Sequence, residues 1–143
     1  MSEQDNITAV RRMYEEVFNQ DRPDLVDELA VPNFKNHAAP PAMQDGTDAL
    51  KSVVGMLSTA FPDDRHEIED IFAYGDRVAC RVRFHGTHTG PYLGAAPSGK
   101  HVSQEQLHII RLEGGRWAEH WGVRDDLGLV RQMSPAEPAA SRS

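Results

Sequence analysis

Apolar residues in the first half of the chain recur at the three- and four-residue spacing of α-helices. Residues 6–19 predict an amphipathic helix that Asp5 or the adjacent asparagine caps. A shorter helix is predicted over residues 23–31, and residues 33–45 are interpreted as a polar lead-in and a proline-containing loop. A third helix has its apolar face between residues 50 and 61 and ends at the proline that follows. Helices therefore dominate the first half.

After that proline, apolar and polar residues alternate, which is the pattern of β-strands with one buried face. Residues 67–72 predict a first strand with Ile68 and Phe72 on one face, and the Gly75-Asp76 pair predicts a hairpin turn. Residues 78–85 predict the partner strand. Its apolar face consists of four alternating residues, Val78, Cys80, Val82 and Phe84.

Two longer strands complete the predicted sheet. They span residues 102–112 and 116–125, and a loop rich in glycine and proline over residues 90–99 precedes them. Helices first and antiparallel strands second define an α+β domain. We expect a cone-shaped α+β barrel in which N-terminal helices pack on a strongly bent, mainly antiparallel sheet. A cavity between the two layers would suit a hydrophobic small molecule.

Composition narrows the class of protein. The 143 residues suffice for one domain, predicted over residues 1–133, and the small polar residues of 134–143 predict a disordered tail. A net charge of −7 disfavours nucleic acid and anionic lipid as partners. The sequence has no apolar run of membrane-spanning length and begins with acidic residues, so we expect no membrane association and a cytoplasmic location. The single cysteine, Cys80, excludes an internal disulfide and is interpreted as a small buried side chain.

The last predicted strand carries the first candidate for chemistry. Alternation places Trp121 and Asp125 on one face of this strand. His120 and Arg124 fall on the other face. A carboxylate beside an indole at the edge of an apolar cavity is partly desolvated, which suits a general acid or base. The residue types leave a second interpretation open, in which Asp125 or Asp126 caps the short helix that follows.

Polar residues on the strand over 102–112 are the second candidate. Gln104, Gln106 and His108 share an otherwise apolar face. If this face lines the cavity, Gln106 and His108 can bind a substrate carbonyl or the catalytic carboxylate; if it faces solvent, they are ordinary surface residues. His37 and His88 lie at the edges of predicted elements, where a histidine either supports a loop or contacts a ligand.

The sequence lacks the motifs of several other kinds of site. No two histidines are spaced i, i+4 on a predicted helix, and no Cys-His pattern occurs, so no metal is expected. The glycines after residue 90 do not open a helix, which argues against a nucleotide cradle. Neither Cys80 nor any serine has the context of a nucleophile. We therefore expect neither a metal site nor a nucleotide site.

Motifs spread from Ile7 to Met133 follow one another in a specific order. They are Thr87-His88-Thr89-Gly90, Gly94, Pro97-Ser98-Gly99-Lys100, His108-Ile109-Ile110-Arg111, Gly114, Glu119-His120-Trp121, Asp125 and Leu127-Gly128-Leu129-Val130-Arg131-Gln132. Together they resemble the SnoaL-like polyketide cyclases.

This resemblance implies the cone-shaped fold of the nuclear transport factor 2-like superfamily, a deep pocket, and a homodimer formed through the open face of the sheet. It also implies the intramolecular aldol closure of a polyketide ester, in which an aspartate acts as acid and base without a metal or an organic cofactor. The matching aspartate is Asp125. The positions of Gln106, His108, His37 and Trp121 match residues that line the pocket or assist.

Other functions stay open at this point, because the superfamily uses one pocket for isomerases, epoxide hydrolases, hydroxylation-associated proteins and binding proteins. Arg124 with Asp125 and Asp126 could form the two carboxylates and arginine of an epoxide hydrolase, although alternation turns Arg124 away from Asp125. If Asp125 is the acid/base group, Asp126 is the better candidate for the helix cap. A non-catalytic ligand-binding dimer would instead expose Asp125 to water as the cap.

Overall fold

The computed structural model describes residues 1–134, in which helices cover one face of an open five-stranded sheet. The tail predicted over residues 134–143 lies, apart from Ser134, outside the described residues. The helical elements are α1 (Glu3–Arg12), a π-helical continuation of it (Met13–Phe18), a 3₁₀ turn (Pro23–Leu25), α2 (Val26–Leu29), a second 3₁₀ turn (Pro41–Met43), α3 (Gly46–Ala60) and α4 (Asp126–Met133).

The first helix begins earlier than the sequence predicted. The Ser2 hydroxyl accepts a hydrogen bond from the Asp5 amide at 3.0 Å, and the Asp5 carboxylate accepts one from the Ser2 amide at 3.1 Å. This reciprocal capping box satisfies two amides that a helix N-terminus otherwise leaves without a partner. The cap is therefore Ser2, and Asp5 belongs to the first turn.

The sheet joins strands from both halves of the chain. The strands are β1 (Ala30–Asn36), β2 (Arg65–Tyr74), β3 (Arg77–Thr87), β4 (His101–Glu113) and β5 (Arg116–Arg124), in the spatial order β1-β5-β4-β3-β2. β1 runs parallel to β5, and the other neighbours are antiparallel. Together with the related solved structures reported below, this confirms the predicted α+β fold with a mainly antiparallel sheet.

The strand β1 corrects the sequence analysis, which interpreted residues 33–45 as lead-in and loop. Its sequence, Ala-Val-Pro-Asn-Phe-Lys-Asn, has two asparagines and a proline, residue types that are depleted in strands. Pro32 is tolerated because β1 is an edge strand and loses no ladder hydrogen bond on its free side. Its only partner strand in the described sheet, β5, lies more than eighty residues later, so no local pattern announces the pairing.

Two β-bulges change which residues face inward. On β5, Glu119 pairs with Arg111 but Trp117 pairs with Leu112, so Ala118 is an extra residue. Both Trp117 and Ala118 are buried, and the inward positions that follow are His120, Gly122 and Arg124. Strict alternation had placed Trp121 on the same face as Trp117.

The bulge on β2 lies between Ile68 and Asp70. It turns Ile71 toward the core beside Ile68 and leaves Phe72 64% exposed on the outer face. The predicted grouping of Ile68 with Phe72 is therefore wrong, and the reason is again an inserted residue that shifts the alternation.

The core lies between the helices and the inner face of the sheet. On β3, Val78, Cys80, Val82 and Phe84 are all buried, as their alternation predicted. Along β4 the inward face is Val102, Gln104, Gln106, His108, Ile110 and Leu112, all of them buried. Within residues 1–134, no helix combines the length and the apolar character needed to cross a bilayer.

Candidate active site

A cavity of about 450 Å³ opens between the helices and the inner face of the sheet. Its walls are mostly apolar and its mouth is bordered by the loop after β3. The apolar walls include Phe18, Leu50, Val53, Leu57, Phe84 and Leu129, and the loop contributes Pro91, Tyr92 and Leu93. A volume of this size suits a drug-sized ligand with a few polar groups.

One side of the cavity carries a continuous line of hydrogen-bonded side chains, which we call the polar chain. Its six members, in order, are Asn36, His120, His108, Gln106, Gln104 and Asp126. Successive donor–acceptor distances are 2.8, 2.8, 2.8, 2.9 and 3.0 Å. All members line the cavity, and all except Asp126 are buried. Such a network fixes the orientation of its side chains only where one hydrogen atom lies between the two heavy atoms of each link.

The proton positions at the inner end of the polar chain follow from Asn36. Its Oδ1 atom accepts the Ala38 amide at 3.1 Å, which fixes Oδ1 as an acceptor. His120 must therefore donate to Asn36 through Nδ1–H. A neutral His120 then accepts at Nε2 from the Nδ1–H of His108. The remaining nitrogen of His108, Nε2, faces the amide of Gln106.

At the outer end of the polar chain, the Gln104 amide donates to the Asp126 carboxylate at 3.0 Å. The Gln106 amide donates to the Gln104 oxygen at 2.9 Å, and the Gln106 oxygen lies 2.8 Å from His108 Nε2. The chain thus joins the buried imidazoles to a carboxylate at the exposed end of the cavity wall.

Burial keeps the imidazoles of the cavity neutral. Desolvation, followed by the positive charge of Arg124, lowers the pKa of His120 to about 3. Desolvation is also the largest cause that holds the pKa of His108 well below its usual value. His66, across the cavity, has a pKa lowered by burial to about 3. The three imidazoles therefore stay neutral at physiological pH.

The structure reverses the predicted roles of the two adjacent aspartates in capping. The Asp125 carboxylate accepts the Gly128 amide at 2.9 Å and is the N-cap of α4, with its side chain outside the cavity. Asp126, the first residue of α4, lines the cavity and bonds to Gln104. Alternation no longer applied to Asp125, because β5 ends at Arg124. An acid/base role for Asp125 stays a prediction.

Trp121 and His37 lie on the outer face of the sheet, not in the cavity. Their rings stack with centroids 5.2 Å apart, and His37 Nε2 lies 2.6 Å from a Glu119 carboxylate oxygen. The Arg77 guanidinium covers the Trp121 ring at 5.0 Å. The expectation that Trp121 shapes the pocket is thus wrong in placement, because the bulge at Ala118 turns it outward.

His88 is fully buried but does not line the cavity. Its Nδ1 atom accepts the Ser98 amide at 3.2 Å and lies 2.9 Å from the Ser98 hydroxyl. Its ring packs on Phe61 at a centroid distance of 5.6 Å. His88 therefore holds the loop over residues 90–99 in place. Of the two roles considered for this histidine, loop support and ligand contact, its contacts fit loop support.

Gln106 and His108 line the cavity, so of the two alternatives left open for this strand face, cavity or solvent, the structure shows the cavity. Several cavity residues were missed or turned the wrong way by the sequence analysis: Tyr14, Asn36, His66, His120, Arg124 and Asp126. The sequence did contain a signal for Asn36 and His66. Each is a polar residue at a buried, inward-facing position of a strand, where apolar residues are the rule. To place His120, Arg124 and Asp126 in the cavity, one has to know where β5 is bulged and where it ends.

Arg124 reaches the cavity from the last position of β5. Its Nη1 atom donates to the Ala38 carbonyl at 2.9 Å. Its charge lowers the pKa of the surrounding imidazoles of His66, His108 and His120. The side chain thus places a positive charge at the wall of a mostly apolar cavity.

Two other predictions concern reactive groups. Burial raises the pKa of the Cys80 thiol to about 12, which agrees with its interpretation as a small buried side chain. Among residues 1–134, no three histidine, cysteine, aspartate or glutamate side chains converge in a metal-binding arrangement.

Comparison with known proteins identifies close relatives of this fold and sequence. The family model described as SnoaL-like polyketide cyclase matches residues 8–133. The aklanonic acid methyl ester cyclase DauD of Streptomyces sp. (strain C5) is 32% identical over 92% of this chain and 83% of its own length. The nogalonic acid methyl ester cyclase of Streptomyces nogalater is 30% identical over 85% of this chain and 92% of its own. The solved structure of TsrD from Streptomyces laurentii superposes with a TM-score of 0.86 at 25% identity, over 94% of this chain and 98% of TsrD.

Proposed function

This chain belongs to the SnoaL-like polyketide cyclase family and is an enzyme of the polyketide cyclase type, and from that premise we propose an intramolecular aldol ring closure inside the cavity. The substrate would be the methyl ester of a polyketide acid, since the curated relatives are named as cyclases of acid methyl esters. The 450 Å³ cavity with apolar walls and one polar side suits such a molecule.

The observation that supports the proposal most directly is the polar chain that ends at Asp126. Asp126 is the one carboxylate among the described residues that line the cavity. The Gln104 amide donates to it at 3.0 Å and so orients the carboxylate at the cavity wall. Asp126 is therefore placed to remove a proton from a bound molecule and to return it later in the reaction.

The reaction follows from that property. Asp126 removes the hydrogen that lies between the substrate's carboxyl group and its aryl ketone, which is acidic because both carbonyls stabilise the enolate. The enolate carbon attacks a second ketone of the same molecule, and one carbon–carbon bond forms. The Asp126 carboxylic acid then delivers its proton to the new alkoxide, which restores the ionised carboxylate. Oxidation states balance without a co-reactant, and the cavity walls hold the substrate in the folded conformation that ring closure needs.

The decisive experiment compares two adjacent aspartates. We expect Asp126→Asn to lower kcat by about a hundredfold to ten-thousandfold in a ring-closure assay on the methyl ester of a polyketide acid, the range for loss of a general base. We expect Asp125→Asn to keep kcat within about threefold and to change the melting temperature little, because asparagine caps a helix about as well as aspartate. The reverse pattern would assign the acid/base role to Asp125, as the family resemblance implies. No loss in either variant would remove the aspartate mechanism altogether.

Epoxide hydrolysis is the second candidate because Arg124, contrary to the alternation argument, does face the cavity. That reaction calls for two carboxylates with the arginine. Within the described lining of the cavity, Asp126 is the one carboxylate. Asp125, the neighbour that could have supplied the second, is engaged at the α4 cap. The geometry therefore favours aldol chemistry.

The outer face of the sheet supports the proposal of a homodimer. Five apolar side chains form one surface there, which we call the outer patch: Phe72, Leu107, Ile109, Trp121 and Val123. Val123 is 74% and Leu107 58% exposed, and an exposed apolar sheet face of this kind calls for a partner. A second copy fits because an antiparallel sheet face is readily self-complementary. We also keep the cytoplasmic location as a proposal, which cell fractionation would check.

Light scattering after size exclusion tests the dimer. We expect wild type at twice the monomer mass and Val123→Glu as a monomer, because a buried unpaired charge opposes association. Leu127→Glu is the matched control, since Leu127 is 62% exposed but lies on α4, away from the outer patch. A dimeric Val123→Glu protein, or a monomeric wild type, would contradict the proposal.

A further inference from the structure

His66 is a buried imidazole in an aromatic part of the cavity wall. It lies on β2, is 5% exposed and lines the cavity. The centroid of its ring lies 5.0 Å from that of Phe18, 5.2 Å from that of Phe84 and 5.5 Å from that of Tyr14. An apolar side chain would pack among these rings without the desolvation cost of an imidazole, so packing alone does not account for a histidine here.

The hydrogen-bonding capacity of the His66 ring is unused by the part of the chain that the structure describes. Among residues 1–134, neither ring nitrogen has a hydrogen-bond partner, and of the two only Nδ1 is fully enclosed by protein. Nε2 is therefore the nitrogen that reaches the cavity. His108 and His120, in contrast, use both of their nitrogens in the polar chain. A buried polar group without a partner is destabilising, and a bound molecule that supplies the partner removes this penalty.

The chemistry of the ring determines the kind of group that can supply this partner. Desolvation, followed by the positive charge of Arg124, lowers the pKa of His66 to about 3, so the imidazole is neutral and carries one N–H at physiological pH. Buried N–H groups without an acceptor are rarer in proteins than buried acceptors without a donor, so Nδ1 holds the lone pair and Nε2–H faces the cavity. The matching group is a neutral oxygen acceptor, because the aromatic surroundings disfavour a buried anion.

The backbone of His66 is held in place by Asn19. The His66 amide donates to Asn19 Oδ1 at 2.6 Å, and Asn19 Nδ2 donates to the His66 carbonyl at 2.9 Å. Asn19 directly follows the π-helical turn Met13–Phe18, and such turns are frequent at functional sites. The imidazole is thus positioned before a ligand arrives, which lowers the entropic cost of binding.

His66 and Asp126 lie at opposite ends of one row of residues across the inner face of the sheet. His66 pairs in register with Phe84, and Phe84 pairs with Gln104, which binds Asp126. Neighbouring strands lie about 4.8 Å apart, so the backbones of His66 and Gln104 are separated by about 10 Å. A molecule of several fused rings can therefore contact both ends of the row at once.

We propose that His66 is a carbonyl-binding subsite, at which Nε2–H donates a hydrogen bond to a ketone or quinone oxygen at the end of the substrate remote from Asp126. This inference rests on the proposed function, since it assumes that the cavity holds a polyketide whose reacting carbon lies at Asp126. The hydrogen bond fixes the orientation of the ring system along the row. His66 is thus a positioning residue and takes no proton.

Two probes that cannot undergo ring closure test the subsite. They are an anthraquinone and an anthracene that carry the same acetic acid methyl ester side chain, titrated by calorimetry at pH 7.5. The measured quantity is the ratio of the anthraquinone affinity to the anthracene affinity, compared between wild type and variant so that the different hydrophobicity of the probes cancels. We expect His66→Phe to lower this ratio about 5- to 20-fold through weaker binding of the anthraquinone, as fits the loss of one hydrogen bond in a desolvated site.

Further variants separate the hydrogen bond from general effects. His85→Phe is the matched control, since His85 follows Phe84 on β3 and faces the outer side of the sheet, and it should leave the ratio unchanged. His66→Gln keeps an N–H donor at the site and should retain part of the ratio. If His66→Phe fails to fold, His66→Met with the same two probes decides the question.

An unchanged ratio in His66→Phe, an equal loss of both affinities, or failure of wild type to bind either probe would overturn the proposal. These outcomes are independent of the aldol mechanism, because the probes do not react. A lower ratio in His66→Phe, together with intact turnover in Asp126→Asn, would keep the subsite and remove the mechanism. An unchanged ratio together with loss of turnover in Asp126→Asn would keep the mechanism and remove the subsite.

Discussion

The inner and outer faces of β4 and β5 are built from alternating residues of the same two strands, but among these residues only the outer face carries carboxylates. On the outer face, Glu119 lies 2.6 Å from His37 and 3.2 Å from Arg111. On the inner face His108 and His120 bond to each other and to amides, and within residues 1–134 the guanidinium of Arg124 donates to a backbone carbonyl.

The two faces differ in how strongly water screens the charges of their side chains. Ion pairs on the outer face are exposed and screened, so they cost little to form and contribute little to stability. Inside, burial makes charge expensive, so the imidazoles are held neutral and bond to each other and to amide groups. The inner face can therefore offer directed hydrogen bonds to a bound molecule. The apolar centre of the outer face supports association with a second copy.

The largest expected effect comes from interrupting the polar chain. Gln106→Leu removes the amide between His108 and Gln104, and we expect kcat to fall by about a hundredfold or more while KM changes less than threefold. The control is Leu107→Gln, one residue away on the outer face, which should keep kcat within about twofold. A loss of kcat in both variants, or in neither, would contradict the expectation that the inner face takes part in catalysis and the outer face does not.

Acidification should destabilise the protein through its inner face. The folded pKa of His66 and His120 is lowered to about 3, below the unfolded value near 6.5, so the unfolded chain binds more protons between those values. Stability is therefore full above pH 6.5 and falls as the pH drops toward 3, by about 2 kcal/mol per histidine between pH 7 and pH 5.

Burial also raises the pKa of Asp64 to about 6, and this group acts in the opposite direction, since its folded form binds the extra proton between pH 6 and pH 4. The net loss is thus smaller than the two histidines alone would give. Urea denaturation at pH 7 and pH 5 measures it. His66→Phe should remove about 2 kcal/mol of the loss; an unchanged pH dependence in this variant would show that His66 does not contribute.

A smaller effect is expected at Gly122, which lies beside the polar chain. A Cβ atom there would come within 2.7 Å of His108 Nδ1 and 3.2 Å of the Ala38 Cβ. Gly122→Ala should lower the free energy of unfolding by about 1–2 kcal/mol and reduce kcat by displacing His108. Gly55→Ala is the matched control on the exposed side of α3, where nothing lies within 4 Å, and should raise stability by about 0.5–1 kcal/mol. Chemical denaturation distinguishes the two signs.

The smallest effect is expected from the outer ion pairs. Arg81 contacts Glu69, Asp70 and Glu105 at 2.8 to 3.3 Å. Because these groups are solvent-exposed, Arg81→Ala should cost less than about 1 kcal/mol and should not change kcat. A loss above that value, measured by thermal unfolding at low and high salt, would indicate that these ion pairs contribute more to stability than screened surface pairs do.

Much of the fold could be predicted from local patterns. The alternation of β3 identified its inward face correctly. On β4 it grouped Gln106 and His108 on one face, and the structure turns that face toward the cavity, which was one of the two alternatives left open. The order of motifs identified the family. These predictions succeeded because each depends on neighbours in the sequence or on a pattern that repeats every two residues.

The candidate site could be predicted only in part, for reasons that lie in particular residues. Trp121 was placed in the pocket because nothing in the sequence around Ala118 reveals the bulge, which exists only in the pairing with β4. Asn36 was missed because β1 forms by pairing with a strand more than eighty residues away. His37 and His88 were correctly noticed as polar residues at element edges, but their partners, Glu119 and Ser98, are set by the fold.

The sequence by itself determined the class of fold, the buried face of β3 and the family, since these follow from periodicity and motif order. Only the tertiary structure decided which of two adjacent aspartates faces the cavity. That choice depends on where β5 ends: Asp125, just past its last residue, turns to cap α4, and Asp126 then falls beside Gln104. A strand's end is fixed by long-range hydrogen bonds and by packing, which sequence spacing does not record.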